Sequence, residues 1–349
     1  MGKFSKHYGT YAVEPGLTIK ELEEIADDKD LEQISFAQCI LKDKDIQNLE
    51  KYIFSKKKNT LLYIFNYLPK NTSLEFLKFL PSLKKISLNN LIVTTKIDKI
   101  KLPNDLEELY ISNCNIEFYE VLKTINPTLK RLIIGKSLTA KLNLSFISRF
   151  SHLQYIYIEE HDKGIEDINK LKHLEEIVLR SISLPNINFL KNMTALWSID
   201  IKLGGIKDFS ILENLTNIKH LELWLIKGLK DISFISKMKG LQNIHLESLT
   251  NIEELPSLDN LTNLRRIKLM NLNGLKNLNA LKTAPRLQDF FFTVIKKLQP
   301  NDLIPVLENP NVKNLYIYFP SDKKNNEFNV LAKKYGKTIT DFPNFKYEK

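Results

Sequence analysis

The feature that most constrains this chain is a short apolar pattern that recurs in eleven copies. Each copy reads apolar, two residues, apolar, one residue, apolar, as in Leu83-Ile86-Leu88, and the last copy ends at Ile317. The first positions of successive copies are 21 to 25 residues apart. Self-similarity at this period indicates a solenoid, in which stacked repeats bury one continuous core and no second core is needed.

Each copy contains a strand and a return segment. The second and third apolar positions lie two residues apart, so both point into the core while the residues beside them point to the opposite face. The returns carry residue types that cap short helices, ten residues before the next copy begins: Asn186, Asp208, Asp231 and Asn277. Helical returns need more room than strands, which are spaced about 4.8 Å apart. The sequence therefore predicts an α/β fold, a curved solenoid with a parallel β-sheet on its concave face.

The ends of the chain depart from this pattern and predict three regions. Residues 1–60 are expected to form an N-terminal helical cap, whose first helix starts at the capping box formed by Thr18 and Glu21. Residues 61–320 are expected to form the solenoid, with about 11 to 12 repeats. Residues 321–349 are expected to form a C-terminal cap and tail. Atypical ends are required because terminal repeats would otherwise expose their apolar side.

The repeats resemble those of leucine-rich repeat proteins over roughly residues 61–320. Within that range, the portion from Ile165 to Leu269 is similar to the bacterial type found in internalins, because it carries Asn-Leu-Thr-Asn returns at 214–217 and 260–263. The resemblance implies a right-handed leucine-rich repeat solenoid. It also implies a bacterial source.

One position departs from the family pattern. Leucine-rich repeats usually carry Asn or Cys eight residues after the first Leu, where the side chain satisfies backbone groups in the turn. Here that position is cysteine once and apolar in other repeats: Cys114, Leu91, Ile182, Ile226, Leu249, Leu272 and Ile295. We therefore expect backbone groups or water to satisfy the turn.

The residues predicted to face the concavity are rich in aromatic side chains. Seven of 33 positions are aromatic, about twice the 10% of the whole chain. Aromatic residues favour strands in general, but Tyr and Trp are also the usual anchors of protein interfaces. The candidate partner-binding residues are Tyr110, Tyr155, Tyr157, Arg180, Asp200, His220, Glu222, Trp224, His245, Glu247, Phe291 and Tyr316.

The charge distribution argues against nucleic acid as the partner, although the net charge is +10. The same face carries six basic residues (Lys85, Arg131, Arg180, Lys202, Arg266 and Lys268) and seven acidic ones (Glu108, Glu159, Glu176, Asp200, Glu222, Glu247 and Asp289). A surface that binds a duplex gathers its basic residues into one stripe. This face is near neutral, so we expect another protein as its partner.

The chain offers little for catalysis. His220, Glu222, His245 and Glu247, with Asp200 alongside, could bind zinc or perform acid–base chemistry, but a polar strand pair shows the same spacing. We find no phosphate-binding loop and no nucleophile elbow. Two cysteines, Cys39 and Cys114, indicate neither a disulfide framework nor a zinc site. We therefore expect no enzyme activity, no cofactor and no metal.

We see no signal peptide and no apolar stretch long enough to cross a membrane, which predicts a cytoplasmic protein. These observations favour the hypothesis of a monomeric, non-catalytic scaffold that binds a partner protein through its concave face. Other roles stay open: a cytoplasmic immunity or inhibitor protein against a bacterial toxin, a regulatory or effector scaffold, a structural or surface adhesin, and a hydrolase that depends on a metal held by His and Glu.

Overall fold

Each repeat contributes one short strand, as its apolar spacing predicts. This computed structural model describes residues 3–37, 41–295, 297–341 and 343–348. The three apolar positions of all eleven copies are buried, with at most 7% of any side chain exposed. Cys114 is a buried free thiol, and burial raises its pKa to about 12. Cys39 lies outside the described residues.

The chain divides into two compact units, residues 1–174 and 175–349, which we call unit 1 and unit 2. In unit 1, β1 and β2 pair antiparallel, and each following strand pairs in parallel with the one before it. Its elements are β1 (Phe4–His7), β2 (Thr10–Val13), α1 (Ile19–Asp27), β3 (Gln33–Ala37), α2 (Asp43–Leu49), a π-helical turn (Glu50–Phe54), β4 (Leu61–Thr72), β5 (Lys85–Val93), β6 (Glu108–Ser112), β7 (Arg131–Ile134) and β8 (Tyr155–Glu159).

In unit 2, seven strands pair in parallel and in register. Its elements are β9 (Glu176–Arg180), β10 (Ser198–Lys202), β11 (His220–Trp224), β12 (Asn243–Glu247), β13 (Arg266–Met270), β14 (Asp289–Thr293), α3 (Ile304–Glu308), β15 (Asn314–Tyr318) and α4 (Asp322–Lys334). The repeating strand-and-return unit is that of an α/β leucine-rich repeat solenoid. The predicted fold class is therefore confirmed.

Most returns contain a short 3-10 helix rather than an α-helix, since few residues are available between strands. The predicted capping residues do act at their starts. The side-chain oxygens of Asn186, Asp208, Asp231 and Asn277 each accept a hydrogen bond from the backbone N–H two residues later, at 2.8–3.1 Å. These bonds lower the pKa of Asp208 and Asp231. The same local sequence that starts each return therefore also fixes its direction.

In unit 2, backbone groups satisfy the turns between successive strands, as expected from the missing Asn. In unit 2, the residue directly after a strand adopts a left-handed conformation and donates its N–H to the last carbonyl of the next strand. Leu225, with φ at 52°, donates to Glu247 O at 2.9 Å, and Leu203 donates to Trp224 O at 2.8 Å. The turn thus ties neighbouring repeats together without a buried amide side chain.

The Asn-Leu-Thr-Asn returns tie repeats together as well. The last residue of the first copy, Asn217, donates its side-chain amide to the carbonyls of Met193 and Thr194, at 3.2 and 3.1 Å. The corresponding Asn263 donates to Lys239 O at 2.9 Å. This part of the resemblance therefore has a structural cause, namely a side-chain amide that satisfies the preceding repeat.

The two ends of the chain combine strands and helices. The predicted capping box is present, because Thr18 accepts from the Glu21 N–H and Glu21 accepts from the Thr18 N–H. The described part of residues 1–60 contains three strands besides its helices. At the other end, α4 begins at Asp322, and its Phe328 is fully buried beside Phe319.

Candidate functional site

The in-register pairing places equivalent outward side chains side by side. Outward residues are those at the first, third and fifth positions of each strand, and we call the surface that they form in each unit its outward face. Glu108 on β6 lies opposite Arg131 on β7, which lies opposite Tyr155 on β8. Neighbouring strands are about 4.8 Å apart, so such rows bring side chains into contact. Every predicted site residue lies on an outward face.

In unit 1, aromatic rings are held in place by charged neighbours. The guanidinium carbon of Arg131 lies 3.8 Å from the centre of the Tyr155 ring. Tyr110 donates its hydroxyl to Glu108 at 2.7 Å. Burial and this carboxylate raise the pKa of Tyr110 to about 12. Tyr157 lies in the middle row of β8. All three rings are half-buried, and the contacts of Tyr155 and Tyr110 reduce the conformational entropy that these two side chains would lose on binding a partner.

Sequence reasoning missed a second aromatic group in unit 1. Tyr63 and Phe65 point outward from β4 and stack at 4.9 Å, and Tyr67 packs edge-on against Phe65 at 5.6 Å. Tyr67 is 77% exposed. The alternation of Leu62 and Ile64 with these rings was the available signal, but the buried Asn66 interrupts the apolar pattern, and the rings were therefore not counted among the candidate residues.

In unit 2, the centre of the outward face is a network of opposite charges. The ammonium group of Lys202 lies 3.3 Å from Asp200 and 3.0 Å from Glu222. His220 Nε2 lies 3.2 Å from Asp200, and His245 Nδ1 lies 3.5 Å from Glu222. Burial alone would raise the pKa of Glu222, but His245 and Lys202 outweigh it and lower the pKa to about 2.

The network extends to one more predicted residue. His245 Nε2 lies 3.4 Å from Glu247, whose side chain is one quarter exposed at the end of β12. His245 therefore lies between two carboxylates, Glu222 on one side and Glu247 on the other. A partner that adds a charge to this network would be selected by the sign of that charge.

The same network is the part of the described chain that comes nearest to a metal site. One ligand atom each from Asp200, His220 and Glu222 falls within 4.8 Å of the others. The Lys202 ammonium already bridges the two carboxylates, so one of their two negative charges is offset by a side chain of the protein. A divalent ion would have to displace that ammonium. The geometry therefore favours an ion-pair network over a catalytic centre.

Two further aromatic groups lie on the outward face of unit 2. The guanidinium carbon of Arg180 lies 5.5 Å from the Trp224 ring, which couples two predicted site residues. Phe291 and Tyr316 stack at 4.5 Å with their planes 4° apart. Tyr316 and Tyr318 are 40% and 50% exposed, so they are not covered by the terminal helix.

The segment of residues 343–348, which we call the tail segment, covers part of this outward face. Tyr347 lies 4.9 Å from the Trp197 ring and 6.1 Å from the His220 ring. The Arg266 guanidinium donates to Pro343 O at 2.6 Å. This packing was not predicted. Its sequence signal was the alternation of two aromatic residues, Phe345 and Tyr347, in an otherwise polar stretch.

Two of the charged residues that the sequence analysis assigned to this face are buried. Arg266 and Asp289 were placed on the outward face, but they are 3% and 7% exposed. They form a buried ion pair, in which the Arg266 Nε and Nη2 atoms donate to one Asp289 oxygen at 3.0 and 2.7 Å. Because one residue of each sign is withdrawn, the exposed part of the face stays near neutral.

Comparisons with known proteins agree with this architecture. No family model matches the sequence, and no curated protein does. The fold is similar to an internalin from Listeria monocytogenes, at 15% identity, a TM-score of 0.56, and coverage of 94% of this chain and 95% of that one. A leucine-rich repeat protein from Leptospira interrogans covers 91% of both chains at 16% identity and a TM-score of 0.46. At such identities, the likeness concerns the fold.

The repeats, their in-register strands and this likeness define a leucine-rich repeat solenoid. More specifically, the chain has an internalin-like leucine-rich repeat fold, as the sequence predicted. Among the described residues, no helix combines the length and the apolar character that a membrane crossing would require.

Proposed function

We propose that this chain is a non-catalytic scaffold that binds another protein through its outward faces. The observation that supports this most directly is the preordering of half-exposed aromatic rings. Arg131 fixes Tyr155, and Arg180 packs on Trp224. Aromatic side chains that are held in one conformation lose little entropy on association, and they are the residues that most often dominate binding energy.

The charges between the rings favour specificity over strength. In the network around Lys202, Asp200 and Glu222, one ammonium group offsets one of the two carboxylates. A partner that contacts it gains little net attraction, but a misplaced charge would be repelled. This arrangement supports a protein partner with its own mixed charges more than a polyanion, which would favour a basic stripe.

The test is capture of partners from a lysate of the source cells, with three forms of the chain. The wild type is compared with the triple variant Tyr155→Ala/Tyr157→Ala/Trp224→Ala. The control is Val330→Ala/Tyr335→Ala, which removes exposed apolar side chains from the region of α4. We expect a partner that the wild type and the control retain and that the triple variant loses. Equal retention by all three would contradict the proposal.

The captured partner would also decide between narrower roles. A toxin whose activity falls when the chain is added would identify an immunity or inhibitor protein. The metal-dependent hydrolase is favoured by one observation, the close approach of Asp200, His220 and Glu222. Its test is elemental analysis of wild type and His220→Ala/His245→Ala after incubation with zinc. Stoichiometric zinc that the double variant loses would favour the hydrolase, and equal metal content would exclude it.

A further inference from the structure

The tail segment lies on a strip of side chains at the start of four strands of unit 2. The strip consists of seven residues. Four of them directly precede β10, β11, β12 and β13, namely Trp197, Lys219, Gln242 and Arg265, and three are the first outward residues of β11, β12 and β13, namely His220, Asn243 and Arg266. Successive repeats thus offer successive contact points at the strand spacing, which suits an extended peptide that crosses them.

Much of the recognition is directed at the peptide backbone. The carbonyl of Glu348 accepts hydrogen bonds from the Lys219 ammonium at 2.9 Å and from the Gln242 amide at 3.0 Å. The Glu348 N–H donates to the Gln242 side-chain oxygen at 2.8 Å. The Arg265 guanidinium donates to the carbonyl of Lys346 at 2.7 Å. Because these bonds involve only backbone atoms of the segment, they do not depend on its side chains.

Alternate side chains of the segment supply the specificity. The Phe345 ring lies 4.7 and 4.9 Å from the guanidinium carbons of Arg265 and Arg266. Lys346 is exposed, whereas Phe345 and Tyr347 are half-buried, as in an extended chain with one face on a surface.

The second aromatic position is read more closely than the first. Tyr347 packs against Trp197 at 4.9 Å, and its hydroxyl accepts a hydrogen bond from the Asn243 amide at 3.1 Å. The following Glu348 carboxylate lies 3.5 Å from both Arg265 and Arg286. The strip therefore fits the pattern aromatic, any residue, aromatic, acidic.

The fit of the tail segment to this strip is incomplete. Asn243 Oδ1 and His220 Nδ1 are buried without a hydrogen-bond partner, and both side chains contact Tyr347. An unsatisfied buried polar atom weakens the state that contains it. A peptide that supplied donors or acceptors to these atoms would bind better than the segment itself.

The tail segment is less deeply buried than α4, the helix that follows the last strand of this unit. Phe328 of α4 is fully buried, whereas Phe345 and Tyr347 remain partly exposed and the residues between and beside them are exposed. Segments with few buried apolar contacts open most readily. The two hydrogen bonds of the Arg266–Asp289 ion pair do not involve the segment.

We propose that this strip is a peptide-binding site for an extended segment of a partner protein with the pattern aromatic, any residue, aromatic, acidic, and that residues 343–348 occupy it as an intramolecular competitor. The inference deepens the proposed function and rests on it, because the strip includes His220 of the outward face. It names the kind of partner segment and a condition for binding, namely displacement of the chain's own segment.

The test uses a fluorescein-labelled synthetic peptide with the sequence of residues 343–348 and the full chain, followed by fluorescence anisotropy. The double variant Phe345→Ala/Tyr347→Ala keeps the strip but releases the segment. We expect it to bind the peptide at least ~10-fold more tightly than the wild type, because a tethered competitor acts at a high effective concentration. The single variant Tyr347→Ser gives the same comparison with a milder change.

Two controls make the result specific. A peptide with alanine at both aromatic positions should not bind the released variant. Adding Arg265→Ala to that variant should weaken binding at least ~10-fold, since the change removes the Phe345 contact and two contacts to the segment beyond it. Equal peptide affinity for wild type and released variant, or no binding to either released variant at ~100 µM, would overturn the proposal.

The remaining outcomes are also distinguishable. A wild type that dimerises with concentration in light scattering, beside a released variant that stays monomeric, would show exchange of the segment between copies and overturn the intramolecular part. The peptide assay needs no native partner. Its failure would therefore leave the lysate test with Tyr155, Tyr157 and Trp224 standing, and failure of the lysate test would not affect the peptide result.

Discussion

The outward faces of the two units are built from the same strand positions but differ in what they present. In unit 1, the first row contains Glu108, Arg131 and Tyr155, which remain half-exposed. In unit 2, the corresponding row contains Arg266 and Asp289, which form a buried ion pair, and the tail segment packs on Arg266. A repeat fold thus sets where side chains point, while non-repeating segments decide which of them remain accessible.

The largest expected effect tests this contrast between the two first rows. We expect Asp289→Ala to destabilise unit 2 by about 3–5 kcal/mol, because it leaves the Arg266 charge buried without its partner. Glu108→Ala, at the same strand position of unit 1, should cost about 1 kcal/mol, since the Lys85 that it pairs with is more exposed.

Urea unfolding measures both changes. Both tryptophans, Trp197 and Trp224, lie in unit 2, so tryptophan fluorescence reports that unit and far-UV circular dichroism reports the whole chain. Equal costs for Asp289→Ala and Glu108→Ala would mean that the tail segment does not shield its row from water.

The second prediction concerns the stability of unit 2 at acid pH. The pKa of Glu222 is lowered from 4.5 to about 2 in the folded chain, so the unfolded chain binds the proton more readily. The resulting stability is complete above about pH 4.5 and is lost as the pH falls towards 2. We expect Glu222→Gln to remove about 3 kcal/mol of unit 2 stability at pH 6 and much less near pH 2.

The measurement is urea unfolding of wild type and Glu222→Gln across this pH range, followed by tryptophan fluorescence. Taking the difference between the two proteins removes the contributions of other carboxyl groups, such as Asp28 in unit 1, whose pKa is also about 2. A difference that did not change with pH would contradict the ion-pair network around Lys202.

Much of this fold could be predicted from the sequence, because the repeat encodes burial directly. The pattern Leu83-Ile86-Leu88 and its ten successors fixed the strands, and Asp208 and Asp231 marked the starts of returns. The outward positions followed from strand alternation alone.

The parts that sequence missed have a common physical cause. Asn66 broke the apolar pattern because it is buried by hydrogen bonds rather than by apolar contact, and this hid Tyr63 and Phe65. The burial of Arg266 depends on the tail segment, which lies 77 residues further along the chain at Pro343. Period and composition describe neighbours within repeats, and they carry no information on where a non-repeating segment returns.

The third prediction compares the two ring–guanidinium pairs that preorder the faces. Arg131 lies 3.8 Å from the Tyr155 ring, and Arg180 lies 5.5 Å from the Trp224 ring. In each pair, we change the arginine to Gln and the aromatic residue to Leu, singly and together, and measure the free energy of unfolding. We expect these double-mutant cycles to give a coupling free energy of about 1 kcal/mol for the pair in unit 1 and about 0.5 kcal/mol for the pair in unit 2. The reverse order would mean that distance to the ring does not set the coupling.

The smallest expected effect concerns the turns that follow β6 in unit 1 and β11 in unit 2. The residue after β6 is Asn113 and the residue after β11 is Leu225, and both are left-handed with φ at 52°. Asn tolerates this conformation, whereas Leu is strained by contact of its Cβ with the backbone. We therefore expect Leu225→Asn to stabilise unit 2 by about 0.5 kcal/mol, and Asn113→Leu to destabilise unit 1 by at least as much, since Asn113 also donates to Asn89 at 3.2 Å. Thermal unfolding of the two variants checks this, and shifts of the same sign would show that turn strain does not distinguish the two units.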